Sequence, residues 1–343
     1  MNRRKLLEFG ARLPALVLAG CAGADRADSA MAAAPSSPAG FRAGRRFLRT
    51  RLGEIAYVAR GSGPAALFLH GFPLNGYQWR SVIERLASMR TCIVPDFLGM
   101  GVSRAAAGQA VGPQAQVEML LALLEHLGVE QTDVIANDSG GAVAQLLAAR
   151  HPARVRSLLL TNCDTEIESP PAAMLPVIEL ARRGEFVSQW LAPWARDPAL
   201  ARSEQGIGGM CYANPAHPTD EAVHMYFAPL LESTERRRQL HDYAVALGKN
   251  ALAGIRPALR ACRVPTRIAW GGDDTIFSAR SAHYLANSFG NFRGLRVLAK
   301  ARLFWPEERP DVLAAQARLL WESVQFRRGA AGGASARGPA AAA

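Results

Sequence analysis

Short apolar runs alternate with segments of helical periodicity through most of the chain. The two runs 47–52 and 54–59 resemble strands that turn at Gly53. Further apolar runs have the length of buried strands: 65–69, 91–95, 134–136, 156–161, 266–270 and 295–298. Apolar residues at helical spacing occupy 78–89, 114–127, 142–150 and 312–324. Strands that alternate with helices predict an α/β fold with a doubly wound, mostly parallel sheet.

The alternation stops between residues 165 and about 252. This segment has a helical composition and carries several large aromatic residues, among them Trp190, Trp194, Tyr212, Tyr226, Phe227 and Tyr243. Because it follows a predicted strand directly, we interpret it as a helical lid inserted over the carboxyl ends of the strands, where open α/β sheets bind ligands.

The stretch 134–141 is typical of a sharp turn between a strand and a helix. It consists of an apolar run, the polar residues Asn137, Asp138 and Ser139, and two glycines. Such a turn exposes the side chain at its apex, and the following helix directs backbone N–H groups toward a developing anion. The residues alone leave Asp138 and Ser139 as alternative nucleophiles.

Composition is that of an ordinary globular protein. The 343 residues are 49% hydrophobic and 20% charged, enough for one large α/β domain or two small ones. The formal net charge is +11, but the arginines are scattered, and no basic and aromatic interleaving is present. We therefore expect a small-molecule substrate and no nucleic-acid partner. We predict neither a cofactor nor a metal.

The N-terminus has the pattern of an export signal. Arg3-Arg4-Lys5 precedes the apolar run 13–20, which is too short to cross a bilayer. The arginine pair is similar to a twin-arginine signal, and Leu18-Ala19-Gly20-Cys21 is similar to a lipoprotein signal. We predict a signal over 1–30, lipidation of Cys21, and membrane contact only through that anchor. A plain secretory signal cut near 30–34 is the alternative.

Two further segments read as unstructured. Residues 31–45 are rich in Ala, Pro and Ser and predict a linker, while 327–343 have the low complexity of a disordered tail. The main folded domain is expected over 46–326. Cysteine spacing indicates no disulfide framework, although Cys211 and Cys262 can pair.

Four motifs together resemble the α/β-hydrolase fold family, in the branch with an aspartate nucleophile that includes haloalkane dehalogenases and epoxide hydrolases. They are His70-Gly71-Phe72-Pro73, the segment 96–103 (DFLGMGVS), the turn 136–141 and Trp270-Gly271-Gly272-Asp273-Asp274. The resemblance covers about 47–326 and implies that Asp138 is the apex residue and nucleophile. It also implies an oxyanion hole made by the backbone N–H groups of Phe72 and Ser139.

The resemblance places the catalytic acid at Asp274. A second position used by some dehalogenases falls on Asn162, and Asp164 lies two residues later as an alternative. The family histidine falls on or beside Leu303, and the chain has no histidine after His283. Other bases to consider are His224 and His241 in the lid and Glu307 or Glu308. We expect His70, Asn137, Trp190 and Tyr226 to bind substrate.

The resulting hypothesis is an exported hydrolase of small, fairly apolar esters, epoxides or related electrophiles. Dehalogenation is disfavoured because the family's halide-binding tryptophan and Asn or Glu correspond to Ser139 and Phe72. Epoxide opening in the family uses two lid tyrosines, for which Tyr212, Tyr226 and Tyr243 are available. A lipid-anchored ligand-binding protein without activity, and a lyase or isomerase with no hydrolytic step, are the alternatives.

Overall fold

The computed structural model of the protein describes residues 36–334, and their side chains as far as residue 324. The predicted export signal, the Cys21 lipidation site and residues 335–343 of the predicted tail lie outside the described residues. Within the described part, no helix combines the length and the apolar character needed to cross a membrane.

A nine-stranded sheet forms the centre of the described fold. Its strands are β1 Arg45–Thr50, β2 Gly53–Arg60, β3 Ala65–Leu69, β4 Thr91–Pro95, β5 Arg104–Ala105, β6 Thr132–Asp138, β7 Val155–Cys163, β8 Thr266–Gly271 and β9 Phe292–Leu298. The order is β1-β2-β4-β3-β6-β7-β8-β9, with β5 on β2. Pairing is parallel from β4 to β9 and antiparallel around β2. The predicted mostly parallel sheet is confirmed.

Helices surround this sheet. They are α1 Pro38–Ala43, α2 Arg80–Leu86, α3 Pro113–His126, α4 Ser139–Arg150, α5 Leu175–Arg182, α6 Ala192–Arg196, α7 Pro198–Arg202, α8 Ile207–Cys211, α9 Asp220–Leu231, α10 Thr234–Leu247, α11 Arg256–Ala261, α12 Ala279–Ala286, α13 Trp305–Glu308 and α14 Pro310–Ala334. Helix α2 packs on α14 and α3 packs on α4, while α4 and α14 both contact β7. Helices α5 to α11 all lie between β7 and β8, in and just beyond the segment interpreted as a lid.

Two predicted unstructured segments contain helices. Helix α1 lies inside the predicted linker 31–45. It is stabilised by Ser37, which caps its N-terminus, and by Phe41, which is buried edge-on against Tyr77 with ring centroids 5.2 Å apart. Helix α14 continues to Ala334, eight residues into the predicted tail.

Candidate active site

Strand β6 ends in a strained turn at Asp138, which has φ 55° and ψ −133°. A residue with a side chain adopts such a backbone only where its surroundings hold it there. Helix α4 approaches β3 and β7 closely after this turn, and glycines make that approach possible. A Cβ on Gly140 would lie 2.6 Å from a backbone oxygen of β3, and one on Gly141 would lie 2.2 Å from the Cβ of Cys163. The two glycines therefore let α4 begin directly against the strand ends.

The carboxylate of Asp138 is held by two backbone donors. Its Oδ1 accepts hydrogen bonds from the N–H of Phe72, at 3.0 Å, and from the N–H of Ser139. These are the two groups that the sequence predicted as an oxyanion hole, and they converge on one oxygen. Burial raises the pKa of Asp138 to about 6, and the two N–H donors act against that increase.

The side chain of Asp138 lines a pocket between the strand ends and the helical insertion. The walls are mainly apolar, and they include Val177, Phe186, Trp190, Trp194, Ile207, Met210 and Phe277. Several of these side chains come from the helical insertion, which therefore covers the strand ends. Trp190 was predicted to bind substrate, and it lines this pocket. The shape and lining suit a small apolar molecule.

A second carboxyl group, that of Asp164, lines the same pocket. It is 4% exposed and follows the last residue of β7 directly. Burial raises the pKa of Asp164 to about 7, and the neighbouring Asp138 raises it further in the same direction. Among the described lining residues, Asp138 and Asp164 are the only carboxylic acids, and Cys211 contributes a thiol.

Leu303 occupies the pocket wall at the position where the resemblance expects a histidine. Its backbone oxygen accepts a 3.0 Å hydrogen bond from Asn137. No histidine lines the pocket in the described part of the chain. Of the two insertion histidines considered as bases, His224 is exposed on α9, and Nε2 of His241 accepts from the N–H of Val187 at 3.2 Å.

Asp274 does not line the pocket. Its Oδ2 accepts from the side-chain amide of Asn162 at 2.8 Å, and its Oδ1 accepts from the N–H of Ile276 at 2.9 Å. Burial raises the pKa of Asp274 to about 7, and these donors act against the shift. The acid predicted from the sequence is therefore partnered by an amide behind the pocket wall.

His70, which we expected to bind substrate, does not line the pocket and is engaged by the backbone instead. The ring is fully buried, with Nδ1 2.9 Å from the backbone oxygen of Gly71 and Nε2 accepting from the N–H of Phe97 at 3.0 Å. Burial lowers the pKa of His70, so the ring is neutral at pH 7. Since both ring nitrogens hold the backbone, His70 braces the turn that carries Phe72.

Asn137 and Tyr226 are also turned away from the pocket. The Asn137 side chain bonds to Gln78 at 2.7 Å and to three oxygens around the strand ends. The Tyr226 hydroxyl donates to Glu307 at 2.8 Å and accepts from Arg80 at 3.1 Å. Neither residue is among those that line the pocket, and partners far along the chain already satisfy their polar atoms, so the arrangement lends no support to their predicted substrate contacts.

The other proposed bases and proton donors are engaged elsewhere. Glu307 forms a buried ion pair with Arg80 at 2.5 Å and accepts from Tyr212 at 2.7 Å, while Glu308 accepts from two backbone N–H groups of the insertion. The Tyr243 hydroxyl lies 3.3 Å from the Ser139 hydroxyl. Within the described residues, no group of three or more His, Cys, Asp or Glu side chains is arranged to hold a metal ion.

Asp164 is the residue that sequence reasoning undervalued, since it was considered only as an alternative partner for a histidine. The available signal was its position at the carboxyl end of the strand after β6. Parallel neighbours end at the same edge of a sheet, so Asp138 and Asp164 had to approach each other.

Comparison with known proteins identifies relatives of this architecture. A model of the alpha/beta hydrolase fold family matches residues 64–302. Haloalkane dehalogenase 2 of Mycobacterium tuberculosis (strain ATCC 25618 / H37Rv) is 25% identical over 275 residues, which are 79% of this chain and 92% of that protein. A cis-3-alkyl-4-alkyloxetan-2-one decarboxylase of Xanthomonas campestris pv. campestris is 33% identical over 294 residues, which are 78% of this chain and 92% of that protein.

A solved structure agrees in fold. The unliganded structure of the epoxide hydrolase CorEH superposes with a TM-score of 0.66 at 21% identity, covering 82% of this chain and 99% of that one. The overall fold is therefore shared with that structure.

Proposed function

The chain belongs to the α/β-hydrolase fold family, and on that premise we propose that it hydrolyses a small, apolar ester or epoxide through attack by Asp138. The observation that carries the proposal is the single Asp138 oxygen bound by the N–H groups of Phe72 and Ser139, at the apolar pocket. A carboxylate fixed in this way is oriented toward an electrophile before the reaction begins.

The geometry supports attack by the other oxygen, Oδ2. An ester formed at Oδ2 makes Oδ1 its carbonyl oxygen, which already lies on the two N–H donors. When water then adds to that carbonyl carbon, the negative charge develops on Oδ1, where the donors stabilise it. Removal of one such donor typically costs about 10²–10³ in rate.

The test is intact-protein mass spectrometry after incubation with styrene oxide, followed by peptide mapping. We expect a covalent addition on Asp138, transient in the native protein, and none in Asp138→Asn, which preserves the size of the side chain. An addition on another residue, or turnover that survives the substitution, would remove Asp138 as nucleophile. Binding of styrene oxide with neither adduct nor turnover would favour a ligand-binding protein without activity.

A second candidate, decarboxylation of an oxetan-2-one, is favoured by one specific observation. No histidine lines the pocket in the described residues, and this reaction uses no activated water. Asp138 would displace the ring oxygen from carbon, which releases a carboxylate. Loss of CO₂ would then form a carbon–carbon double bond and expel Asp138 unchanged. The Xanthomonas relative named for this reaction is 33% identical.

Product analysis separates the two candidates. Hydrolysis of a 3,4-dialkyl oxetan-2-one yields a hydroxy acid, whereas the lyase reaction yields an alkene and CO₂. We expect the hydroxy acid. An alkene that is lost in Asp138→Asn would make the lyase the correct assignment.

We also propose that the protein is exported and anchored through a lipid on Cys21, on the strength of the signal pattern in the sequence. Fractionation of cells that express the full chain tests this. We expect it in the membrane fraction, and Cys21→Ala should leave it uncleaved or free of lipid.

A further inference from the structure

The carboxyl groups of Asp138 and Asp164 lie at neighbouring strand ends. Asp138 is paired in register with Cys163 of β7, and Asp164 is the next residue. Adjacent strands run about 4.8 Å apart, so the two residues start from nearly adjacent backbone positions. Both side chains line the same apolar pocket and both are almost fully buried.

Two carboxyl groups this close in an apolar pocket do not ionise together easily, because each charge disfavours the other and neither is well hydrated. The two carboxyl groups differ in their hydrogen-bond partners and in the charges beside them. Asp138 accepts from the backbone N–H groups of Phe72 and Ser139. The Asp164 side chain is bonded by the Ser169 hydroxyl and by its own backbone N–H, but the carboxylates of Asp138 and Glu168 lie close enough to disfavour a second negative charge on it. The anion is therefore better stabilised on Asp138, and the proton is better placed on Asp164.

The other acidic hydrogens near the pocket are unsuitable. The hydroxyls of Tyr212 and Tyr226 donate to Glu307, and that of Tyr243 bonds to Ser139. The Cys211 thiol lines the pocket, but burial raises its pKa well above the ordinary value, which makes it a poor acid. Among the described lining residues, Asp164 is left as the group that can both release and recover a proton.

We propose that Asp164 is the proton donor and acceptor of this site and that its substrate class is the epoxides, an inference that rests on the proposed Asp138 nucleophile. An epoxide suits a single protonated carboxyl because ring opening consumes one proton and the following hydrolysis returns one. Asp164 thus takes the place of both the lid tyrosines and the histidine that the family resemblance implies.

The steps balance. Asp138 Oδ2 attacks a ring carbon, the carbon–oxygen bond breaks, and Asp164 gives its proton to the ring oxygen. The products are a hydroxyalkyl ester on Asp138 and an ionised Asp164. Water then adds to the ester carbonyl as Asp164 takes its proton, and the charge develops on Oδ1. Collapse of this intermediate expels the diol oxygen, which takes the proton from the new Asp138 carboxyl. The diol leaves with Asp138 ionised and Asp164 protonated, as at the start.

The test compares native protein with Asp164→Asn, with enzyme in excess, on two electrophiles. Styrene oxide needs a proton at its leaving oxygen, whereas a 3,4-dialkyl oxetan-2-one releases a carboxylate and needs none. We expect the variant to consume styrene oxide about 10²-fold or more slowly, the usual contribution of a positioned acid. We expect the loss of rate on the oxetan-2-one to be at least tenfold smaller than the loss on styrene oxide, which also reports that fold and nucleophile are intact.

Failure of the proposed Asp164 role and failure of the Asp138 nucleophile give different results. Equal loss on both electrophiles would give Asp164 a structural role and overturn the inference, as would unchanged consumption of styrene oxide. If Asp138→Asn consumed both electrophiles at the native rate, the proposed function itself would fail. Asp164→Glu provides a further check, because a restored carboxyl should recover part of the styrene oxide rate that is lost in Asp164→Asn.

Discussion

Asn162 donates a 2.8 Å hydrogen bond from its side-chain amide to Oδ2 of Asp274. The same side chain bonds the backbone N–H and C=O of Gly271 and accepts from the indole of Trp305. Asp274 is thereby tied into the framework that joins β7 to β8 and α13. The sequence resemblance implies that this carboxylate orients an imidazole, but here it accepts from an amide, and Leu303 forms the nearby pocket wall.

An imidazole introduced at Leu303 should supply a general base when Asp164 has been replaced. In the Asp164→Asn background, we expect Leu303→His to hydrolyse the Asp138 ester about 10²-fold faster, because a general base typically contributes 10²–10⁴ in rate. The measurement is the decay of the adduct mass after excess styrene oxide is removed.

Leu303→Gln is the matched control, since it is polar and of similar size but has no base near pH 7. It should leave the decay rate at the level of Asp164→Asn alone. Equal acceleration by Gln and His would mean that wetting of the pocket, rather than proton transfer, limits hydrolysis.

Asp164 should make the native protein less stable as pH rises. Because the folded pKa, about 7, exceeds the ordinary value, its protonated form favours the folded state; this contribution is complete at low pH and is lost as pH rises through 7. The titratable groups around it are Asp138, Cys163, Glu168 and Tyr243. We expect Asp164→Asn to gain stability over native protein between pH 4 and 8, by about 1.4 kcal/mol per pKa unit removed. Denaturant unfolding at both pH values measures this, and a pH-independent difference would contradict it.

The position of the turn at Asp138 could be predicted because its signals are local: a strand, a polar apex and two glycines within eight residues. The side-chain partners could not. His70 is held by Phe97, Asn137 by Gln78 and Tyr226 by Glu307, all contacts between distant segments. A residue's closeness to a motif in the sequence therefore did not predict whether its polar atoms were available to bind a substrate.

The absence of a side chain at Gly71 should be necessary for the correct position of the Asp138 carboxylate. A Cβ there would lie 2.6 Å from the Cβ of Asp138 and 3.0 Å from its Cγ. We expect Gly71→Ala to displace the carboxylate and slow adduct formation by about 10²-fold, the cost of a misplacement of about 1 Å. Single-turnover consumption of styrene oxide measures the effect. A native rate in the variant would show that Asp138 tolerates the shift.

The buried ion pair of Glu307 and Arg80 should stabilise the insertion against the sheet. Glu307 is 3% exposed and also bonds Tyr212 and Tyr226. We expect Glu307→Gln to lower the free energy of unfolding by about 3 kcal/mol, because it leaves a buried arginine unpaired. Glu308→Gln is the control, with an effect near or below about 1 kcal/mol at its exposed site. Similar losses in both variants would refute a special role for the buried pair.

The most direct test of Asp138 as nucleophile is one turnover of styrene oxide in water labelled with ¹⁸O, with enzyme in excess. If the ester forms on Asp138 and water attacks its carbonyl carbon, one labelled oxygen enters the Asp138 carboxylate and the first diol carries none. We predict this result, read by peptide mass spectrometry and by analysis of the diol. Label in the diol and none in Asp138 would mean that water opens the ring directly, and it would contradict the account.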